Sequence, residues 1–454
     1  MERDVRVRKI FEAMFLLEDM REIFRNALPT GLNEAQESEF QEYLERLQQV
    51  LDELKASKGT PLKFITDRIE LRAREEEFIN INPIQPGGRL TAEARKALIA
   101  YGDGYSICDY CLAPFKLEKI RRPPVEEFHA ELAEFVGMDA VRVFPGARRA
   151  FQAVTSAILE KGDIVLVSDL AHYTEFLAVE VAGGIVREVP SGENHVITGE
   201  ALAQKIEEVR EKTGKKPKLI MIEHYDYSFG NEHDVRGVGK VAKEYEIPFL
   251  YNGAYSVGMR PVNGKEIGAD FVVGSGHKGM ASAAPSGILA TTEEFAPAIF
   301  RGSSVQGDIS GRKFPAKEPE LLGCTLMGAT LVTMMASFPK VKERVKHWDE
   351  EVRKSNFFCE EFLRIEGNKI LSEFPRKHTL TKVDTRESFD KIAKTHKRRG
   401  FFLSDELKKR GIVGEFAGST KVWKLNTYGL SWEQVKYLAD AFKEIALKYN
   451  LNVQ

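Results

Sequence analysis

The chain has 454 residues, 43% of them hydrophobic, which is enough for a large α/β domain plus a smaller one and too apolar for a disordered protein. Lys and Arg total 66 against 68 Asp and Glu, so no global field attracts nucleic acid, and RNA contact must rely on local patches. No run of about 18 apolar residues can span a membrane, and no apolar stretch follows Met1-Glu2-Arg3-Asp4-Val5-Arg6, so neither a membrane span nor a secretory signal is expected and the expected location is the cytoplasm.

Residues 4–27 and 34–56 are predicted to form two amphipathic helices joined around Pro29-Thr30-Gly31. In the second, Phe40, Tyr43, Leu44, Leu47, Val50, Leu51 and Leu54 recur at helical spacing among Glu, Gln and Asp. This helical extension, residues 1–62, is set off by Ser57-Lys58-Gly59-Thr60-Pro61. Two helices cannot bury both of their faces, so the hairpin is expected to pack on the body, a second subunit or a partner. Residues 63–325 form the expected large domain, with an N-terminal arm. From about residue 125, short apolar runs alternate with helical stretches: Val141-Arg142-Val143-Phe144, Ile164–Val167, Leu219–Ile222, Pro248–Tyr251 and Phe271–Val273. That alternation predicts βαβ units and a mostly parallel sheet covered on both faces. After Cys324, a long helical pattern over roughly 327–365 leads into a smaller C-terminal α+β domain, residues 326–454. Ligands of open α/β sheets collect at the carboxyl ends of the strands, where the chemically suggestive residues fall.

The strand Phe271-Val272-Val273 runs into Gly274-Ser275-Gly276-His277-Lys278-Gly279, a small-residue turn displaying one lysine. Enzymes that hold pyridoxal phosphate as a Schiff base need this: a lysine fixed by a strand, glycines that let the ring approach, and Ser275 and His277 within reach of the 5′-phosphate. Upstream, Gly146-Ala147-Arg148 joins a strand to a helix start, where free N–H groups and the helix dipole favour an anion. His172 follows another strand, and its flat imidazole suits stacking on a pyridine ring. Asn252 ends a buried strand where many enzymes of this fold place aspartate; it can hydrogen-bond a pyridine nitrogen but carries no charge, which predicts a weaker electron sink. His224, Asp226 and Asn231 are further candidates on the rim. Of the four cysteines, Cys359 reads as a small buried hydrophobe in a helix. Cys108-Asp109-Tyr110-Cys111 brings two sulfurs close enough to share a metal or exchange a disulfide, and a reducing cytosol argues against structural disulfides.

These residues resemble one family. Gln85-Pro86-Gly87-Gly88-Arg89, the stretch from Gly102 to Cys111, Gly146-Ala147-Arg148, Ala171-His172-Tyr173-Thr174, Asn252-Gly253-Ala254-Tyr255, Gly274–Lys278, Leu322-Gly323-Cys324-Thr325, His396–Phe402 and Thr427–Trp432 are similar, in collinear order over about 78–450, to the O-phosphoseryl-tRNA:cysteinyl-tRNA synthases of archaea. The resemblance implies a homodimeric, pyridoxal phosphate-dependent fold type I enzyme. It would convert phosphoserine on tRNA(Cys) to cysteine by β-elimination of phosphate and sulfur addition. It places the Schiff-base lysine on Lys278, the ring-stacking histidine on His172 and the ring-nitrogen partner on Asn252. It puts the essential cysteines on Cys108, Cys111 and Cys324, as a persulfide relay or as ligands of an iron–sulfur cluster. Arg89, Tyr105 and Tyr173 fall in the shared motifs as substrate-binding positions, with phosphoseryl-tRNA synthetase as an expected partner. The chain departs from the family at Pro145, where a histidine is usual, at His224-Tyr225-Asp226-Tyr227, and in an apparent insertion over about 303–318. A cysteine desulfurase acting on free amino acids would share the fold and the lysine but needs only one reactive cysteine, and a non-catalytic scaffold would not need Lys278. The basic runs Lys116–Arg122 and His396-Lys397-Arg398-Arg399 are the expected tRNA contacts.

Overall fold

The computed structural model describes residues 5–27, 31–56, 78–101, 107–108, 122–301, 305–313, 325–326 and 328–454. The chain divides into two units, Met1–Arg74 and Glu75–Gln454. In the first, helices Val5–Arg25 and Glu34–Ala56 lie against each other around Ala13, Met20, Leu47 and Val50. Phe24 and Phe40 meet edge to face at 5.3 Å, and Lys9 bridges the two helices by pairing with Glu12 at 2.9 Å and Glu53 at 2.6 Å. Ile10, Met14 and Leu17 stay at least half exposed within this unit, as two helices alone require.

The second unit is built on seven strands: β1 (Ala140–Phe144), β2 (Ile164–Ser168), β3 (Ile185–Val189), β4 (Leu219–Glu223), β5 (Phe249–Asn252), β6 (Phe271–Ser275) and β7 (Gly287–Thr291). Their order across the sheet is β1-β7-β6-β5-β4-β2-β3, and β7 runs antiparallel to both of its neighbours while the remaining pairs are parallel. Every residue of β2, β4, β5, β6 and β7 is buried, which is why these segments read as unbroken apolar runs: helices cover both faces. β3 lies at the edge and keeps Arg187 and Glu188 exposed.

The C-terminal part carries a three-stranded antiparallel sheet, Lys369–Ile370, Leu380–Asp384 and Val422–Asn426. Its core joins Phe358, Phe362, Trp423 and Phe442 beneath helices Trp348–Leu363 and Trp432–Lys448. The single long helical pattern expected over 327–365 is three pieces: Gly328–Arg344, a 3₁₀ turn Val345–His347, and Trp348–Leu363. At the break, Arg344 turns inward and donates to the carbonyls of Gly258 at 3.0 Å and Gly87 at 2.9 Å.

Candidate active site

The carboxyl ends of β2, β4, β5 and β6 open into a cavity of about 320 Å³ lined by Gly146, Ala147, Arg148, His172, Tyr173, Glu223, Asn252, Tyr255, Ser275, His277 and Lys278, among others. Lys278 does not follow β6 in an open turn. It sits in the short helix Gly276–Gly279, with its ammonium 4.2 Å from the ring centre of Tyr255. Burial, helped by the positive charge of Lys424, pushes its pKa down to about 8. A lysine so placed holds a far larger share of free amine near neutral pH than an ordinary lysine does.

Two glycines let another backbone approach this lysine. A Cβ on Gly88 would lie 1.9 Å from the carbonyl oxygen of His277, and one on Gly87 would lie 2.7 Å from that of Lys278. The 3₁₀ turn Pro86–Gly88 therefore braces the lysine loop from behind, with Ala281 N–H donating to the Gly87 carbonyl at 3.0 Å.

At the other end of the cavity, Gly146 takes φ +96° and caps the helix Ala147–Ile158. First-turn N–H groups have no carbonyl four residues earlier to bind, so this helix start presents donors and a positive dipole end to the cavity. His172 caps the helix Tyr173–Val181; its Nδ1 contacts Thr174 Oγ1 at 2.9 Å and accepts from the Thr174 N–H at 3.4 Å. Burial, Lys278 and Lys424 lower its pKa to about 4, so it presents a neutral ring. Ser275 is buried at the end of β6, and Nδ1 of His277 is engaged with the Ser286 carbonyl at 3.1 Å, which leaves Nε2 for the cavity. Asn252 is held by two bonds: Nδ2 donates to Glu175 Oε1 at 2.7 Å, and Oδ1 accepts from the Ala254 N–H at 3.1 Å. An anion seat, a buried amine, a flat neutral ring and a fixed amide around one cavity fit pyridoxal phosphate, with Gly146–Arg148 for its phosphate, His172 for its ring and Lys278 for its aldehyde carbon.

Some expected site residues lie elsewhere. Asn231 does not line the cavity: Nδ2 donates to the Asn194 carbonyl at 3.3 Å, and Oδ1 accepts from the Glu373 N–H at 2.8 Å, so its amide is spent joining loops. Arg89 lines a separate cavity of about 480 Å³ with Arg344, Glu351 and Tyr428. His224 is buried between Tyr251 Oη at 2.6 Å and Glu232 Oε1 at 3.2 Å, away from the cavity. Asp226 is taken up in bonding the N–H groups of Ser228 at 2.8 Å and Asn231 at 2.9 Å. Tyr105, Cys111 and Cys324 lie outside the described residues, as does the side chain of Cys108. The backbone of Ile107–Cys108 pairs antiparallel with Thr325–Leu326, setting Cys108 opposite Thr325, the residue after Cys324 in sequence. Cys359 is buried in the C-terminal core, its sulfur 3.8 Å from Thr381 Oγ1, and burial raises its thiol to about 11. Tyr255, Glu175, Glu223 and Lys424 were not picked out by sequence; only Tyr255 had a signal, as the last residue of Asn252-Gly253-Ala254-Tyr255.

A family model for O-phosphoseryl-tRNA(Sec) selenium transferase matches residues 154–446. The O-phospho-L-seryl-tRNA:Cys-tRNA synthase 1 of Methanococcoides burtonii is 65% identical over 447 residues, covering 98% of this chain and 97% of its own. The synthase of Methanoculleus marisnigri is 59% identical and covers 85% of this chain and 98% of its own. A solved complex of SepCysS with the SepCysE N-terminal domain superposes with a TM-score of 0.75 and 47% identity, over 83% of this chain and 96% of that one. A cysteine desulfurase from Thermococcus onnurineus superposes with a TM-score of 0.65 at 17% identity, over 82% of this chain and 96% of its own, and so shares the fold alone. The fold is that of the pyridoxal phosphate-dependent fold type I enzymes.

Proposed function

Because the chain belongs to the O-phospho-L-seryl-tRNA:Cys-tRNA synthase family, we propose that the cavity around Lys278 is where phosphoserine carried by tRNA(Cys) is converted to cysteine. The observation that carries this reading is Lys278 itself: a buried amine at a strand end, with its pKa down to about 8, across a cavity from a helix N-terminus. When bound, pyridoxal phosphate supplies an electron sink at the substrate's Cα, so that a β-substituent can leave. Lys278 Nζ would hold the cofactor's aldehyde carbon and, as a free amine beside the bound substrate, would take the proton from Cα. The Cβ–O bond then breaks and phosphate departs; sulfur forms a bond to Cβ, and a proton returns to Cα. The neutral ring of His172 holds the cofactor plane and adds no charge beside the lysine. Tyr173, exposed at the mouth, is placed to meet the substrate.

Cys108, Cys111 and Cys324 are the sulfur-delivering groups of this reading. One thiol carries a sulfane sulfur and another resolves it, so that the two electrons needed to release the sulfur come from forming a disulfide. The pairing of Cys108 with Thr325 supports their convergence, since Cys324 precedes Thr325 directly. An iron–sulfur cluster on the same three cysteines is the alternative device. The protein acts as a homodimer in the cytoplasm, with phosphoseryl-tRNA synthetase as a partner; no helix among the described residues is long and apolar enough to cross a membrane.

The test is turnover by purified, cofactor-loaded protein given O-phosphoseryl-tRNA(Cys), thiosulfate as a sulfane-sulfur donor and a thiol to reduce the disulfide that sulfur release leaves. Stoichiometric phosphate and cysteinyl-tRNA are expected. Desulfuration of free cysteine with the charged tRNA left untouched would overturn the assignment.

A further inference from the structure

Two buried polar atoms without a hydrogen-bond partner belong to one carboxyl group, Oε1 and Oε2 of Glu223. This residue is 3% exposed, ends β4 and lines the cavity with Lys278 and His172. In the parallel β4–β5 ladder it stands directly opposite Asn252, so the two side chains leave the sheet on the same face. A desolvated carboxyl with neither oxygen bonded costs free energy, and such a group calls for an explanation.

The surrounding groups supply one only in part. Glu175 Oε1 accepts from Asn252 Nδ2, and burial together with the neighbouring Glu223 raises the Glu175 pKa well above its ordinary value. Asp226 is already bonded through both oxygens to backbone N–H groups. His233 accepts the Ile197 N–H on Nδ1 at 3.2 Å, so its proton sits on Nε2; that nitrogen lies 3.4 Å from Glu223 Oε1 without hydrogen-bond geometry. Burial works against a charge on His233 and Glu223 favours one, but with Nδ1 accepting the Ile197 N–H the ring turns only its Nε2 toward Glu223, and both carboxyl oxygens stay unbonded. Asn252 itself is locked between Glu175 and Ala254 and has no charge to offer.

We propose that Glu223 is the counter-charge to the cofactor's ring nitrogen, holding a proton there from the strand end beside Asn252. The inference rests on the reading of this cavity as the pyridoxal phosphate seat. It divides between two adjacent strands what a single aspartate does elsewhere in the fold: Asn252 orients, and Glu223 supplies the charge. A carboxylate in a low-dielectric pocket favours a neighbouring cation, and so a protonated ring nitrogen. The electron sink is then strong despite the asparagine.

The experiment loads the apoenzyme with pyridoxal phosphate carrying ¹⁵N in the ring and reads the ring-nitrogen shift. The wild-type protein is expected to show the pyridinium shift at neutral pH, and Glu223→Gln the shift of a neutral pyridine. Asn252→Asp added to Glu223→Gln moves the carboxylate one strand over and is expected to restore the pyridinium signal. A pyridinium shift retained in Glu223→Gln would overturn the proposal, and so would loss of the cofactor in that variant with no recovery in the double variant. A wild-type protein that takes up no labelled cofactor would instead remove the reading of the cavity itself.

Discussion

Lys278 sets the pH behaviour of the site. Its pKa of about 8 arises first from burial and second from Lys424, whose ammonium is held at the cavity by the Tyr227 carbonyl at 2.6 Å. Covalent capture of cofactor needs the neutral amine, so the capture rate of the apoenzyme is expected to rise with pH and level off above about 8. Lys424→Met removes a like charge and is expected to move that midpoint upward, slowing capture at pH 7; stopped-flow absorbance checks this, and an unmoved midpoint contradicts it. The same shift has a stability sign. The folded-state pKa lies below the ordinary lysine value, so the buried ammonium destabilises the apo-fold at all pH below about 8, and that cost fades as pH rises toward the unfolded lysine's pKa. Cys359 is the opposite case, a thiol raised to about 11 in a packed core. Cys359→Ala is expected to leave turnover unchanged and to lower unfolding stability by about 1–2 kcal/mol, readable in a denaturant midpoint.

The arm turn Pro86–Gly88 explains its own glycines at the scale of elements. Gly88 has no room for a Cβ because the His277 carbonyl would lie 1.9 Å away, and both atoms belong to rigid backbone. Gly88→Ala is expected to push the Lys278 loop out of place, destabilising by about 1–3 kcal/mol and lowering cofactor occupancy. Equilibrium dialysis with pyridoxal phosphate measures the second effect, and full occupancy would show that the arm does not brace the loop. The sequence disclosed the Gln85-Pro86-Gly87-Gly88-Arg89 motif but not its packing, since only the fold brings residue 88 to residue 277. Strands β2, β4, β5 and β6 were legible because their buried apolar runs are bounded by turns. β3 was missed because Arg187 and Glu188 on an edge mask its pattern, and β7 because Gly287 and Thr291 bound only three apolar residues. Lys278, His172 and Asn252 were legible from their places at strand ends. Glu175 and Glu223 were not, because a glutamate in a helix or at a strand end ordinarily reads as solvated, and nothing local marks it as buried. Asn231, expected at the rim, is not among the residues lining the cavity, its amide bonded to the Asn194 carbonyl and the Glu373 N–H.

With Lys and Arg nearly balanced by Asp and Glu over the whole molecule, tRNA must be met locally. In the run His396–Arg399, Arg398 is already paired with Asp405 at 2.8 Å, while Lys397 and Arg399 have no carboxylate partner among the described residues. Of the second run, Lys116–Arg122, only Arg122 lies within the described residues. Arg398→Glu with Arg399→Glu is expected to weaken tRNA binding and to flatten its log–log salt dependence by about one for each phosphate no longer neutralised, with cofactor content unchanged. An unchanged tRNA dissociation constant would place the tRNA-binding surface elsewhere. The central claim joins two chemistries in one molecule: elimination at Lys278 and sulfur delivery by cysteines far apart in sequence. Single turnover of O-phosphoseryl-tRNA(Cys) by cofactor-loaded protein pretreated with thiosulfate, which gives a cysteine its sulfane sulfur as sulfite leaves, separates them, with phosphate release and cysteinyl-tRNA measured on the same sample. Lys278→Ala should lose both products. Cys108→Ala, Cys111→Ala and Cys324→Ala should each release phosphate and form no cysteinyl-tRNA, whereas a fully active Cys324→Ala protein would contradict the account.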